Sequence, residues 1–362
     1  MADLTRATAD TPPGRATIVD VARAAQVSRQ TVSNALNRPD KVAAPTLERV
    51  LREIDRLGFT PHITAQQLRR RKAAAYGFEV NPSGHGRLGH ILDEFLVQLT
   101  VAAPAHGSHL MTFAPDPEDV IEGYRQTLAT GLVDGFVLAD TRHGDPRPQW
   151  LLDHHVPFVA FGRVWDLPEL RQWVDVDGGA GVREAVAHLV AAGYDRIGFL
   201  GWPAGSPVGD DRRHGWLAGL ADAGRTASGQ LEAEESVQDL DQATAAAERL
   251  LRRLGPGSAV VCASDMLALG AVRAVRNTGL ALGADIGVVG FDDTDVADAL
   301  SVTSIRQPIA EAARTAWQML TSPESPRPVL LAPALTVRSS TTRTPTSSAT
   351  RPRDTPITEE QP

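Results

Sequence analysis

The chain of 362 residues contains little of what would place it among secreted, membrane or cysteine-rich metal proteins. Its single cysteine, Cys262, excludes a disulfide framework and a metal site built from several cysteines. No run of 18 or more apolar residues is present, so a membrane span is not expected. The first residues lack the basic start and apolar core of a secretory signal. These absences predict a cytoplasmic protein. The length of the chain allows two or three domains.

The motifs of several common enzyme classes are also missing. There is no G-x-S-x-G nucleophile elbow, no H-E-x-x-H pair and no P-loop. The histidines, including His154 and His155, lack metal-ligand spacing. The acidic run Asp292–Asp295 is more typical of a solvated loop than of a metal site. We therefore predict a protein that is not an enzyme and that binds no metal and no cofactor.

Charge is unevenly distributed along the chain, although its net value is only −8. Residues 1–72 carry 13 Lys and Arg against 7 Asp and Glu, whereas the remaining residues carry 23 against 37. A basic segment suits contact with the phosphates of DNA, and an acidic body is repelled by them. The sequence therefore predicts nucleic acid binding at the N-terminal end and a different ligand for the body.

Hydrophobic patterning divides the chain into a helical head, an alternating body and a polar tail. Helical patterns cover residues 17–57, and strand and helix patterns alternate from Tyr76 to Leu320. Such alternation predicts parallel sheets covered by helices. The length suits two doubly wound sheets, which bind ligands at the carboxyl ends of their strands. Residues 341–362 are rich in Thr, Ser and Pro, and we expect them to form a disordered tail.

Two short amphipathic segments near the N-terminus predict a helix-turn-helix. Thr17 and Asp20 form a variant of the capping box, and Ser28 is suited to cap a second helix over Arg29–Leu36. Two short helices separated by a tight break, here at Gln26 and Val27, are typical of DNA-binding heads. Arg side chains read the edge of guanine, and Gln and Asn side chains read the edge of adenine. The residues of this head that we expect at the DNA are Thr17, Ser28, Arg29, Gln30, Thr31, Ser33, Asn34 and Asn37.

The run from Thr17 to Asn37 resembles the head of the lactose-repressor (LacI/GalR) family. Further motifs similar to that family follow in the family's order: Val42–Leu57, Gly58–Pro61, Ala65–Leu68, Gly193–Ile197, Ala263–Ala271 and Ile286–Asp293. The resemblance covers about residues 17–340. Its specificity comes from the order of several motifs, because no single motif is decisive.

The resemblance implies an α/β protein with an N-terminal all-α helix-turn-helix head. Its body would be periplasmic-binding-protein-like, with two doubly wound parallel-sheet subdomains. The expected divisions are a disordered leader (1–16), the helix-turn-helix domain (17–60), a hinge helix or linker (61–73), the effector-binding and dimerisation domain (74–340) and the tail (341–362). Within the body, the first subdomain is expected at about 74–172 and 303–333, and the second at about 173–302 and 334–340.

The resemblance also implies a homodimeric transcriptional repressor that binds pseudo-palindromic double-stranded operator DNA. A small-molecule effector, expected to be a sugar or oligosaccharide, would release it and so control genes of carbohydrate utilisation. In the hinge, Ala65 is expected at the DNA, and Leu68 matches the leucine that family members wedge into the minor groove. Asn34 stands where the lactose repressor itself has Arg, so a different operator base is expected there.

In the body, the resemblance implies that Arg212 and Asp292 bind the effector. A guanidinium donates to vicinal hydroxyls and a carboxylate accepts from them, so the two groups complement each other on a sugar. Ser264 stands where many relatives have Asn, and a hydroxyl is shorter than an amide, so an altered pocket is expected there. Aromatic faces that stack on sugar rings and further polar groups complete the expected site: Trp173, Trp202, Arg163, Asn81 and Ser83.

One alternative for the body is dinucleotide binding, which would make the protein a redox-sensing regulator. Gly84–Gly89 reads G-x-G-x-x-G between a strand and a helix, and Asp116 follows the next strand in the position of a ribose-binding acid. Against this interpretation, Asn81–Ser83 separate the strand from the first glycine. In the lactose-repressor family the same loop lines the effector cleft.

Overall fold

The computed structural model describes residues 16–59, 74–80, 89–226, 233–322 and 326–343. The chain divides into two compact units, residues 1–73 and 74–362. Among the described residues, every helix is too short or too polar to cross a bilayer. Several sequence predictions lie outside the described residues: the leader up to residue 15, the hinge at 61–73 with Ala65 and Leu68, and the loop with Asn81 and Ser83.

The first unit is a helical head packed around a small apolar core. Its described helices are α1 (Ile18–Ala24), α2 (Arg29–Asn37) and α3 (Ala44–Leu57), with a 3₁₀ turn at Pro39–Lys41. Val21, Val32 and Val50, one from each α-helix, are fully buried. Gly58 ends α3 with a φ of 60°, a left-handed conformation that favours glycine. The predicted all-α helix-turn-helix head is confirmed.

The second unit contains parallel strands alternating with helices. Its described strands are β1 (Ala75–Glu79), β2 (His109–Phe113), β3 (Gly135–Leu138), β4 (Phe158–Phe161), β5 (Trp173–Val176), β6 (Arg196–Gly201), β7 (Ala233–Glu235), β8 (Ser258–Cys262), β9 (Ile286–Phe291), β10 (Thr303–Arg306), β11 (Val329–Leu331) and β12 (Ala334–Thr336). Its described helices are α4 (His90–Ala102), α5 (Val120–Ala129), α6 (Pro146–Asp153), α7 (Gly178–Ala191), α8 (Pro207–Asp222), α9 (Leu240–Leu254), α10 (Asp265–Asn277), α11 (Asp295–Ala299) and α12 (Ile309–Thr321).

The strands form two sheets, one in each subdomain of the body. The first has the order β11-β5-β4-β3-β1-β2, and all its described neighbours are parallel. The second has the order β12-β10-β9-β8-β6-β7, in which β12 runs antiparallel to β10 and the other described pairs are parallel. The predicted α/β body with two doubly wound sheets is confirmed.

Strand pairing moves two of the predicted subdomain boundaries. The sequence predicts Trp173 as the start of the second subdomain, but Trp173–Val176 pairs with β4 and β11 of the first sheet. It predicts Thr303 in the first subdomain, but Thr303–Arg306 pairs with β9 and β12 of the second sheet. The chain therefore crosses between subdomains after Val176, around Gln307 and between β11 and β12.

The C-terminal boundary of the body also lies later than predicted. A 3₁₀ turn at Ser339–Thr341 packs against the second sheet, and Thr341 is buried. The Thr341 hydroxyl bonds to the hydroxyl of Thr303 at 2.7 Å, and Arg343 donates to the carbonyl of Gly193. The expected tail therefore starts after these contacts. Residues 344–362 lie outside the described residues.

Two buried tryptophans anchor helices in the two cores. Trp317 on α12 packs edge-on against Tyr76, and its indole donates to the carbonyl of Leu99 at 2.9 Å. Trp216 on α8 donates to the carbonyl of Ile197 at 3.0 Å. Its neighbour Gly215 is required because a Cβ there would lie 2.2 Å from the carbonyl oxygen of Gly179 on α7. This close packing fixes α8, the helix that carries the predicted effector arginine.

Candidate functional site

Side-chain caps start both helices of the helix-turn-helix. Thr17 and Asp20 cap α1 reciprocally, since the Thr17 hydroxyl accepts from the Asp20 amide and the Asp20 carboxylate accepts from the Thr17 amide. The hydrogen bonds from Thr17 lower the pKa of Asp20. Ser28 accepts from the amide of Thr31 at 3.1 Å and so starts α2. Both predicted caps are confirmed.

The outer face of α2 presents fewer of the predicted DNA contacts than the sequence suggests. Arg29 and Gln30 are exposed, and the Gln30 amide donates to the half-buried Asn34 at 3.1 Å. Ser33, which is expected at the DNA, is only 6% exposed, so its side chain is not part of the accessible outer face of α2. Thr31 is half-buried against the Ser28 hydroxyl, and Asn37 ends the helix.

The body encloses a cavity of about 440 Å³ between its two subdomains. The first subdomain contributes the segment after β3, Arg163 after β4 and Asp175 of β5. The second contributes Trp202 after β6, Arg212 of α8 and Asp292 after β9. Apart from Arg212, which lies within α8, these residues lie at or just beyond the carboxyl ends of strands, where doubly wound sheets bind their ligands.

Arg212 is buried in the wall of this cavity with most of its donors unused. One terminal nitrogen donates to the carbonyl of Ala263, while Nε has no hydrogen-bond partner among the described residues. The guanidinium carbon lies 3.6 Å from the ring centroid of Phe291 and 5.3 Å from that of Trp202. Burial lowers the pKa of Arg212, and the charge of Asp292 opposes this shift. Arg212 can therefore donate to a ligand.

Asp292 occupies a backbone conformation that its neighbours enforce. Its φ of 110° is rare for a residue other than glycine. On one side its amide donates to the carbonyl of Ile305 at 2.8 Å. On the other side the next residue, Asp293, pairs with Arg306 and Arg338. The carboxylate of Asp292 is thereby directed to the cavity and does not join these ion pairs.

The carboxyl group of Asp292 is close to the point of half-protonation at neutral pH. Burial raises its pKa to about 7, although the charge of Arg212 acts in the opposite direction. Its Oδ1 accepts from the side-chain amide of Gln307 at 2.8 Å. A carboxyl group in this state can accept a hydrogen bond from a hydroxyl, or donate one when protonated. It therefore suits a neutral, hydroxyl-bearing ligand.

Trp202 lies beside Arg212 and also has an unused donor. Its indole Nε1 is buried and has no hydrogen-bond partner among the described residues. A buried donor that lacks an acceptor costs about 1–3 kcal/mol, which a ligand acceptor can recover. The wall of the cavity thus contains two buried donors without partners among the described residues, on Arg212 and Trp202, together with the carboxyl group of Asp292.

Two of the predicted effector residues lie behind the cavity wall. Ser264 caps α10 by accepting from the Leu267 amide, and its hydroxyl donates to Gln238 at 2.9 Å. Gln238 itself lines the cavity. Trp173 donates its indole N–H to the carbonyl of Leu170 and packs into the core of the first subdomain. A different tryptophan, Trp165, lines the cavity.

The sequence analysis missed several residues that line the cavity, including Trp165, Gln238, Gln307 and Asp211. Gln307 follows β10 directly, so recognising that short strand would have identified it. Asp211 stands next to Arg212 and accepts from the amide of Gly179 at 2.9 Å. α8 begins at Pro207, whereas the sequence pattern starts this helix at Arg212. Proline is tolerated in the first turn of a helix, so Pro207 does not indicate that a loop continues to Arg212.

The alternative dinucleotide site receives little support from the geometry. Of the glycine motif, only Gly89 lies within the described residues, where it lines the cavity and precedes α4. Asp116, the expected ribose-binding acid, is exposed and does not line the cavity. Its carboxylate accepts from the amide of Glu118 in its own turn.

Known protein families match both units of the chain. The profile described as "Bacterial regulatory proteins, lacI family" matches residues 17–62, and "Periplasmic binding protein-like domain" matches residues 186–341. The chain is 35% identical over 268 residues to the HTH-type transcriptional regulator AglR of Rhizobium meliloti, covering 74% of this chain and 75% of that protein. It is 31% identical over 306 residues to the HTH-type transcriptional regulator CelR of Thermobifida fusca, covering 81% and 87%.

Solved structures agree with these sequence matches. A CelR–cellobiose complex superposes with a TM-score of 0.68 at 29% identity, covering 90% of this chain and 100% of the other. The lac repressor dimer bound to operator and the anti-inducer ONPF superposes with a TM-score of 0.76 at 26% identity, covering 90% and 99%. The chain therefore belongs to the lacI family of bacterial regulatory proteins. It is a DNA-binding transcriptional regulator with a helix-turn-helix head and a periplasmic-binding-protein-like body.

Proposed function

We propose that this protein is a cytoplasmic repressor of carbohydrate-utilisation genes and is not an enzyme. It binds a pseudo-palindromic operator as a homodimer, because two-fold proteins read two-fold sites. A sugar, more specifically an oligosaccharide or glycoside, enters the cavity of the body and releases the protein from DNA.

The observation that carries the sugar assignment is the pair of buried donors without acceptors, Nε of Arg212 and Nε1 of Trp202. Hydroxyl and ring oxygens of a sugar accept from such donors, and its hydroxyls donate to carboxylates such as Asp292. The described lining contains more carboxylates (Asp140, Asp175, Asp211 and Asp292) than arginines (Arg142, Arg163 and Arg212), which does not favour an anionic ligand. Among the relatives, CelR is solved with cellobiose and another is named as a ribose operon repressor, which supports a sugar as the ligand.

Arg29 and Gln30 are proposed as the main base-reading residues, because they are the exposed side chains at the start of α2. Arg29 suits guanine and Gln30 suits adenine. The other residues proposed to contact DNA are Thr17, Ser28, Thr31, Asn34, Asn37, Ala65 and Leu68. For the effector, Arg212, Asp292 and Trp202 are the proposed primary contacts.

The test is operator binding with and without candidate sugars. An operator is first selected from a randomised DNA library, and its affinity is then measured with cellobiose, maltose, ribose and a matched series of glycosides. We expect one of these sugars to weaken DNA binding by wild-type protein, and NAD to leave it unchanged. Arg212→Ala should keep operator affinity and lose the response to the sugar. A response to NAD, or an Arg212→Ala variant with wild-type sensitivity, would overturn the proposal.

A further inference from the structure

We infer that Arg163 is a positioning residue that latches the two subdomains together across the cavity before any ligand binds. Its role in regulation rests on the function proposed above, whereas its effect on the body does not depend on which ligand or operator is correct. The residue was expected to contact the effector, but its guanidinium is already engaged by two carboxylates from opposite sides of the cavity.

Arg163 belongs firmly to the first subdomain. It follows β4, and its carbonyl accepts from the Thr141 hydroxyl at 2.9 Å. Its guanidinium carbon lies 4.3 Å from the ring centroid of Trp165, a cation–π contact that orients the side chain. Its Nε donates to Asp175 on β5 at 2.8 Å. These contacts fix the guanidinium at the rim of the first sheet.

The same guanidinium reaches into the second subdomain. Its outer nitrogen lies 3.0 Å from Oδ2 of Asp211 on α8. Asp211 is in turn held by the amide of Gly179 at the start of α7. The resulting chain of contacts, from Asp175 through Arg163 and Asp211 to Gly179, spans the point where the backbone crosses between the subdomains.

The three side chains of the latch are partly shielded from solvent, which strengthens the two ion pairs that Arg163 makes. Arg163, Asp175 and Asp211 are 23%, 13% and 20% exposed. Coulomb attraction is stronger at partly buried sites than between fully hydrated side chains. Burial raises the pKa of Asp175, and the charge of Arg163 opposes that shift, so the carboxylate depends on this guanidinium.

Removing Arg163 would weaken the attraction between the two subdomains. Asp175 and Asp211 would then lose the cation that bridges them and keep only the charge of Arg212, which acts on both. Two carboxylates that share less cationic charge favour separation. A ligand whose hydroxyls bond to either carboxylate competes with the latch in the same way. A ligand shifts the body only through its preference between conformations, so the latch sets the equilibrium against which the effector works.

The latch is testable on the full-length protein without DNA or sugar. Spin labels are attached to the variant Arg125→Cys on α5 combined with Ala245→Cys on α9; both positions are exposed, and one lies in each subdomain. The native Cys262 is buried and stays unlabelled. Labelled protein is mixed with excess unlabelled protein, so that each dimer carries one labelled protomer. Pulsed electron-spin measurements then give the distance between the two labels.

Arg163→Ala and Asp211→Asn should each shift the label distance, in the same direction, relative to the parent protein. Asp211→Asn keeps an acceptor for the Gly179 amide, so it remains informative if Arg163→Ala does not fold. Arg163→Lys should give a smaller shift, because a compact ammonium does not bridge two carboxylates as a planar fork does. The matched control is Arg183→Ala, which breaks the pair with Asp222 inside the second subdomain. Distances in Arg163→Ala and Asp211→Asn that superimpose on the parent would overturn the latch.

Discussion

Each subdomain buries an arginine near the cavity, and the two side chains differ in how their donors are used. Arg147 and Arg212 are both 5% exposed. Arg147 donates to Asp145 and Glu79, and also to the carbonyls of Ala139 and Asp140 at the end of β3. Arg212 has the carbonyl of Ala263 and an unpartnered Nε among the described residues. The first arginine is complete without a ligand and the second is not.

The pKa values of the two arginines shift in opposite directions, in line with this difference in their partners. Burial alone would lower the pKa of Arg147, but its bonds to Asp145 and the charge of Glu79 raise it instead. Burial does lower the pKa of Arg212, since the nearby carboxylates compensate it less well. Removing a buried cation from all its partners is strongly destabilising, because the carboxylates are left buried without compensation. A buried cation that lacks partners is held ready for a ligand at a cost in stability.

The largest expected effect comes from breaking the complete site. Arg147→Ala leaves Glu79 and Asp145 buried without their cation, and the loss of one partner from a buried ion pair costs about 3–5 kcal/mol. Denaturant unfolding of the variant measures this change in the free energy of unfolding. The control is Arg125→Ala, which removes an exposed pair with Glu122 and should cost less than about 1 kcal/mol. Equal losses in the two variants would contradict the comparison.

Breaking the incomplete site should affect stability less and ligand response more. Arg212→Ala removes one bond and leaves the Ala263 carbonyl without its donor, at a cost of about 1–3 kcal/mol. The same unfolding measurement should therefore rank it below Arg147→Ala. Operator release by sugar should be lost, while operator affinity stays at the wild-type level. A stability loss as large as that of Arg147→Ala would show that Arg212 is a structural residue.

An arginine on the head extends the comparison to a fully exposed side chain. Arg29→Ala should leave the free energy of unfolding unchanged, because the exposed Arg29 side chain makes no hydrogen bond or ion pair with the described residues of the head. Its loss should weaken operator binding by about 1–3 kcal/mol per half-site if it contacts a guanine. Gel-shift titration on the selected operator checks this, with Arg38→Ala, an exposed arginine after α2, as the reference variant. Unchanged operator affinity in Arg29→Ala would remove it from the base-reading residues.

A further expected effect sharpens the comparison through pH. The pKa of Asp292 is raised to about 7, so the folded protein keeps a proton that the unfolded chain loses near pH 4. Stability contributed by this group is therefore lost as the pH rises from about 4 to 7. Asp292→Asn should reduce that loss, seen as a flatter dependence of the melting temperature on pH. Asp175 and Asp265, whose pKa values burial also raises, contribute in the same direction, whereas Asp293 and Glu234, whose pKa values are lowered, contribute in the opposite direction. An unchanged slope in the variant would contradict the assignment to Asp292.

Much of the fold could be predicted from the sequence, because hydrophobic period and chain alternation are local signals. The strands His109–Phe113 and Ser258–Cys262 begin and end where the pattern predicts them. Sheet membership is different, since it depends on pairing between distant segments. Trp173–Val176 and Thr303–Arg306 are too short to show which sheet they join, and each joins the sheet opposite to the prediction.

The sequence predicts site residues correctly where a suitable side chain stands at a position that resembles the family's motif. It fails where packing determines whether a side chain is buried. Arg212, Asp292 and Trp202 line the cavity as expected. Ser33 and Ser264 have suitable polar groups, but both are small enough to be buried, and burial depends on neighbours that the local sequence does not specify. Trp173 and Trp165 are indistinguishable by residue type. Only the pairing of β4 with β5 puts one in the core and the other at the cavity.

The crossings between the two sheets also set the order in which the protein can assemble during its synthesis. Residues 75–176 supply β1 to β5, but the core beneath them is completed by α12, whose Trp317 is fully buried against Tyr76 and Leu99. The ribosome reaches that helix only after it has translated nearly all of the second subdomain. The nascent first subdomain therefore leaves the exit tunnel with apolar surface still uncovered. Arrest of translation before residue 309 would release a chain in which neither sheet has all its strands.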